Sequence, residues 1–160
     1  MNKWLLVGYG NPDRQDDGVA WHILCAIAVR FGLPAPETYD DDFPENDKLD
    51  FLFCLQLTPE LAEDIAGYER VCFVDAHTEN IPTPVQMIEV ESEFQRSPFT
   101  HHLTPQSLVS MCENLYGKKP GSALVSVRGY SFGFTRELSD KTAALVSQAS
   151  QLAIDWLSQT

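Results

Sequence analysis

The stretch Gly8-Tyr9-Gly10-Asn11-Pro12-Asp13-Arg14-Gln15-Asp16-Asp17-Gly18 constrains this chain more than any other. It follows the apolar run Trp4-Leu5-Leu6-Val7 and precedes a helically spaced apolar segment starting at Val19, so it reads as a strand, a glycine-rich turn and a helix start. The glycines let the backbone turn tightly, and Asp16 and Asp17 stand beside the positive end of the coming helix dipole. One of the two acids, Asp16, is expected to cap that helix. A loop that only reversed the chain would need neither the paired acids nor the Gly-x-Gly-Asn-Pro lead-in.

The remaining pattern alternates. Lys3 to Val7 predicts a buried strand, and Val19, Ala20, Ile23, Leu24, Ile27 and Phe31 predict one helical face, stopped by Gly32 and Pro34. Ala35 to Lys48 is rich in Pro and acids; it predicts a solvated loop with a short strand near Thr38-Tyr39. Leu49 to Leu55 predicts a second buried strand. Thr58-Pro59-Glu60 predicts a helix opening with Thr as N-cap, and Gly67 its stop. Arg70 to Val74 predicts a further strand ending at Asp75-Ala76-His77, joined to its predecessor as a parallel pair by a right-handed crossover. Strands over Val85–Glu91 and Ala123–Tyr130 enclose a helix opening at Thr104-Pro105 and closing at Gly117, and Ser139 is expected to cap one long C-terminal helix. This order predicts a single α/β domain over residues 1–160. Its expected architecture is a three-layer sandwich of the phosphorylase/hydrolase-like type, with a mostly parallel twisted sheet flanked by helices.

Composition narrows the partners. With 11 basic against 23 acidic residues the formal net charge is −12, which opposes nucleic-acid binding. No apolar run approaches the ~20 residues of a membrane span, and the N-terminus lacks a signal-peptide layout, so a cytoplasmic protein is expected. Cys25, Cys54, Cys72 and Cys112 are widely spaced in apolar contexts and are expected to be buried free thiols.

In open α/β sheets ligands bind at the carboxyl ends of the parallel strands. Three polar sets are expected there: Asp16 and Asp17, Asp75 and His77, and His101 and His102. Two carboxylates and an imidazole drawn from three loops make a site of nitrogen and oxygen ligands that nickel, zinc, manganese or iron would accept. No serine or cysteine nucleophile stands beside a base in the sequence, which disfavours a covalent mechanism.

Four stretches occur in order and at suitable spacing: Gly8-Tyr9-Gly10-Asn11 with Asp16-Asp17-Gly18, Gln56-Leu57-Thr58-Pro59-Glu60-Leu61, Val74-Asp75-Ala76, and His101-His102-Leu103-Thr104-Pro105. Together they resemble the nickel–iron hydrogenase maturation endopeptidases. The resemblance implies an endopeptidase that removes the C-terminal extension of a hydrogenase large-subunit precursor after nickel insertion. The nickel carried by that precursor is then recognised by an acid in the first loop, an Asp after a central strand and a His. These correspond to Asp17, the second acid and the one just before the glycine, to Asp75, and to His101, which fits the family's His-x-Leu pattern. The resemblance makes these three both the nickel ligands and the catalytic residues, in a protein expected to act as a monomer on its large partner. His77 is a candidate additional or substitute ligand.

Three other readings compete. The Gly-x-Gly-Asn-Pro opening also resembles peptidyl-tRNA hydrolases, but Arg14-Gln15-Asp16-Asp17 stands where their Thr-Arg-His-Asn run belongs. A dinucleotide site would want a third glycine, and Asp13, Asp16 and Asp17 would repel a pyrophosphate. A nickel-binding assembly factor that contacts the hydrogenase without cutting it would use the same residues as the protease.

Overall fold

Alternation along each strand divides the side chains of one sheet between two cores. In the computed structural model, which describes residues 3–93 and 103–159, β1 (Trp4–Tyr9) sends Leu6 to one face and Leu5 and Val7 to the other. β3 (Arg70–His77) divides in the same way, with Cys72 and Val74 opposite Val71 and Phe73. Both strands are covered on two faces, which is why their sequences read as unbroken apolar runs. The first core is closed by α1 (Val19–Arg30) and α5 (Val146–Leu157), through Ile23, Leu24, Ile27, Ala149, Ala153 and Trp156. The second is closed by α2 (Leu61–Ile65) and α3 (Pro105–Tyr116), through Ile65, Leu108, Val109 and Cys112. The result is the expected three-layer α/β sandwich.

With β2 (Leu49–Cys54), β4 (Val85–Glu89) and β5 (Gly121–Arg128), the sheet runs in the order β2-β1-β3-β5-β4. All neighbours are parallel except β4, which runs antiparallel to β5. β2 and β3 are therefore parallel but not adjacent, contrary to the expected pair: α1 carries the chain from β1 to one side, and α2 carries it back past β1 to the other. That reversal makes the carboxyl ends of β1 and β3 the switch point of the sheet, where open α/β folds leave a crevice.

Helix ends follow local chemistry. Thr104 caps α3, its hydroxyl accepting from the Ser107 backbone N–H at 3.1 Å with Pro105 in the first turn, a device that contributes about 1 kcal/mol. Gly32, at φ 74°, ends α1 with paired bonds, its N–H donating to the Val29 carbonyl and that of Leu33 to the Ala28 carbonyl.

Four local expectations are corrected. No strand forms at Thr38-Tyr39; Asp41 N–H closes a turn on the Thr38 carbonyl, and the Tyr39 hydroxyl is taken by Asp13 at 2.7 Å. α2 starts at Leu61, because the Thr58 carbonyl and the Pro59 carbonyl accept in a tight turn and the Thr58 hydroxyl engages Glu60 instead of capping. β3 continues to His77, paired with β5 beyond the point where β1 stops. The C-terminal helix is broken: Ser139 caps a short α4 (Asp140–Ala143), and α5 begins only after Ala144 and Leu145.

Candidate active site

The turn after β1 is an interlock that only glycine permits at two points. Gly10 sits at φ 136°, and a Cβ there would lie 2.1 Å from the Asp17 carbonyl oxygen. A Cβ on Gly18 would lie 2.3 Å from Cα of Pro12. The loop thus folds back on itself, and a 3-10 turn, Gln15–Gly18, delivers the chain into α1. Within it one carboxylate oxygen of Asp17 accepts the Asn11 backbone N–H at 2.9 Å, which fixes the side chain over the mouth of β1.

Asp75 faces it from the neighbouring strand. The last register pair between β1 and β3 is Gly8 with Val74, so Asp75 is the first residue of β3 to overrun β1. Period-two alternation puts it on the face of Val71 and Phe73, together with Tyr9 of β1. The Tyr9 hydroxyl donates to the Asp75 carboxylate, whose Oδ1 also accepts the Ala76 N–H at 2.7 Å. Burial pushes the Asp75 carboxyl up to about 7, with the negative charge of Asp17 adding to the shift and the two hydrogen bonds opposing it. Burial and the Asp75 charge together hold the Tyr9 phenol well above its usual value, so it stays a donor. The Asp17–Asp75 pair expected from the sequence is therefore brought together, electrostatically coupled, at the switch point.

His101 and His102 lie outside the described residues, and among the described residues no group of three or more His, Cys, Asp or Glu gathers as a metal site. Two sequence expectations change here. His77 is not a spare ligand: it is buried, its Nε2–H donates to the Thr83 carbonyl at 2.9 Å, and its Nδ1 accepts the Ser126 hydroxyl at 2.7 Å. Burial also holds its pKa below the ordinary histidine value. This serine–imidazole pair was invisible in the sequence, yet at 6% and 7% exposure neither partner is open to a substrate. Asp16 is not a helix cap either. Fully buried, it accepts from the backbone N–H groups of Tyr130, Ser131 and Ser139 and from the hydroxyls of Ser139 and Thr142, at 2.6–2.9 Å. It ties the first loop to a segment more than a hundred residues away. Neither role had a local signal. Tyr9 had one: counting alternate residues from Leu5 puts it on the side of Asp75 once β1 and β3 are known to pair.

The thiols supply no nucleophile. All four are free, and burial pushes Cys54, which borders Tyr9, up to about 11.

The sequence matches no protein-family model and no curated protein. Solved structures do match. The hydrogenase maturating endopeptidase HybD from E. coli superposes with a TM-score of 0.69 at 19% identity, over 97% of this chain and 91% of its own. The [NiFe] hydrogenase maturation protease HybD from Thermococcus kodakarensis gives 0.66 at 17%, over 97% and 99%. A hydrogenase 2 maturation peptidase from a Thaumarchaeota archaeon gives 0.63 at 20%, over 98% of both chains. This chain has the fold of the hydrogenase maturation proteases. At these identities the likeness speaks for the fold. Within that fold, Asp17 and Asp75 stand at the carboxyl ends of β1 and β3. No helix among the described residues is long and apolar enough to cross a membrane.

Proposed function

We propose that this chain is an endopeptidase that removes the C-terminal extension of a nickel–iron hydrogenase large-subunit precursor once nickel has been inserted. The observation that carries the reading is the coupled Asp17–Asp75 pair at the switch point of a maturation-protease fold. Nickel arrives as part of the substrate. Asp17, Asp75 and His101 complete its coordination with two oxygen donors and one imidazole, which fixes the adjacent peptide for cleavage. Burial of the Asp75 carboxyl beside the Asp17 charge is costly without a cation, so a divalent metal between them is the partner that relieves that cost and holds Asp75 as a carboxylate. The Tyr9 hydroxyl holds that carboxylate in place.

The test compares precursor purified with and without its nickel. Processing of the nickel-loaded form alone is expected, and Asn at Asp17 or Gln at His101 should lower its rate by about a hundredfold or more. Equal cutting of both forms would remove nickel from the recognition, and full activity in both variants would remove the site.

A further inference from the structure

From Tyr130 to Arg136 the chain is exposed and aromatic, and its backbone is hydrogen-bonded to the first loop. Tyr130 and Phe132 are 36% and 39% exposed, and Phe134 is fully exposed. An open aromatic ring is a poor choice for a surface turn unless something covers it. The backbone beneath these rings is nonetheless stitched to the loop that carries Asp17. Asp16 accepts from Tyr130 and Ser131, Asp16 N–H donates to the Ser131 carbonyl, and Gln15 N–H donates to the Thr135 carbonyl. The Gln15 side chain takes the Gly133 N–H at 3.1 Å, and Arg136 pairs with Asp13 at 2.7 Å.

Cations and acids both flank the segment, with Glu137 and Asp140 beside Arg136 and Lys141 in the sequence. In a chain of net charge −12, Arg128 and Lys141 both lie over the Tyr130 ring, at 4.9 and 5.2 Å from its centroid. Neither forms an ion pair among the described residues. Arg136 also borders a cavity of about 130 Å³ shared with Pro12, Trp21, His22, Glu37, Thr38 and Tyr39, room for one aliphatic side chain. Exposed aromatic rings and two cations without an ion pair among the described residues suit an extended peptide that pairs an acidic residue with large apolar ones.

We infer that Gly129–Arg136 is a docking surface for a stretch of the polypeptide substrate itself, one that combines apolar and acidic side chains. Asp16 is the positioning residue that locks this surface to the catalytic loop. This rests on the proposed proteolytic function, because continuity with the Asp17 loop is what directs the substrate across the segment. A chain presented to Asp17 and Asp75 meets these rings on its way.

Binding is measured with Asp17 and Asp75 intact, from the association phase recorded before appreciable cutting, with the nickel-loaded precursor as the probe. Phe134→Ala is expected to weaken the dissociation constant about tenfold, and Lys141→Glu by several-fold, with the melting temperature unchanged because both side chains are exposed. Phe134→Trp should restore binding. Unaltered affinity in both variants would overturn the docking surface while leaving cleavage by the wild type intact. If the wild type binds the precursor but never cuts it, the protease reading fails and the affinities still decide the surface. If the wild type does not bind the precursor, both fall. A second copy of this chain seated on the segment would appear as a dimer that Phe134→Ala dissociates without changing precursor affinity, which also overturns the inference.

Discussion

Asparagine at Asp75 is expected to abolish processing and, at the same time, to make the folded protein more stable above neutral pH. The amide keeps the shape, the Ala76 N–H bond and an acceptor for the Tyr9 hydroxyl. What it loses is a carboxyl that burial and the Asp17 charge have pushed up to about 7. The sign follows from which state holds the proton. Below the ordinary aspartate value of about 3.9, the carboxyl is protonated both folded and unfolded, and ionisation costs nothing. Between there and about 7 the unfolded chain releases the proton and the folded one keeps it, so wild-type stability falls by up to about 1.4 kcal/mol for each pH unit. Above 7 the deficit is constant. Urea unfolding across this range should show the variant ahead by a few kcal/mol at about pH 8 and level with the wild type near pH 4. Precursor cleavage should drop by about a hundredfold or more. Parallel stability profiles would mean that Asp75 is not held against its preference, and with that its placing as a functional group would lose its physical basis.

Removing the Asp16 carboxylate should have the opposite effect on stability. Alanine there strips the acceptor from three backbone N–H groups and two hydroxyls, of which the Thr142 hydroxyl is buried and the others partly buried. Each buried donor left unpaired costs about 1–3 kcal/mol, partly recovered where water enters, so a total loss of roughly 3–5 kcal/mol is expected. In a chain of this size that lowers the melting temperature by about 10 °C. Asparagine should fall between, since its NH₂ would face donors. Burial raises the Asp16 pKa, but the hydrogen bonds from Ser139, Tyr130 and Ser131 more than offset it, and the group ends below its ordinary value. Its contribution is therefore present above about pH 3.9 and is lost as pH falls through the lower, folded value. Calorimetry at neutral pH checks the size of the effect; a loss under about 1 kcal/mol would mean that the network holds little.

These two aspartates also mark what a sequence can and cannot disclose. The position of Asp75 was readable because it is the first polar residue after the buried apolar run of β3, a pattern set by burial on both faces. Asp17 was readable from its place in a glycine turn at the mouth of a strand. The duty of Asp16 was not, because its donors lie 114 to 126 residues downstream and nothing local distinguishes it from a cap. The broken C-terminal helix has the same origin. The Thr142 hydroxyl serves both Asp16 and the Arg128 carbonyl, which pins α4 against the aromatic segment where local propensity favours a continuous helix. Strand order escaped too, since apolar runs identify β2 and β3 but do not say that α2 returns past β1. His77 looked available for a metal until the β3–β5 register brought Ser126 to it.

The most direct measurement is the mass of the hydrogenase large subunit before and after incubation of its nickel-loaded precursor with this protein. Loss of one C-terminal peptide with the wild type, and an unchanged mass with Asp75→Asn, is the predicted result. A precursor that binds and keeps its full mass with the wild-type protein would contradict it, and would make the chain a nickel-binding assembly factor instead of a protease.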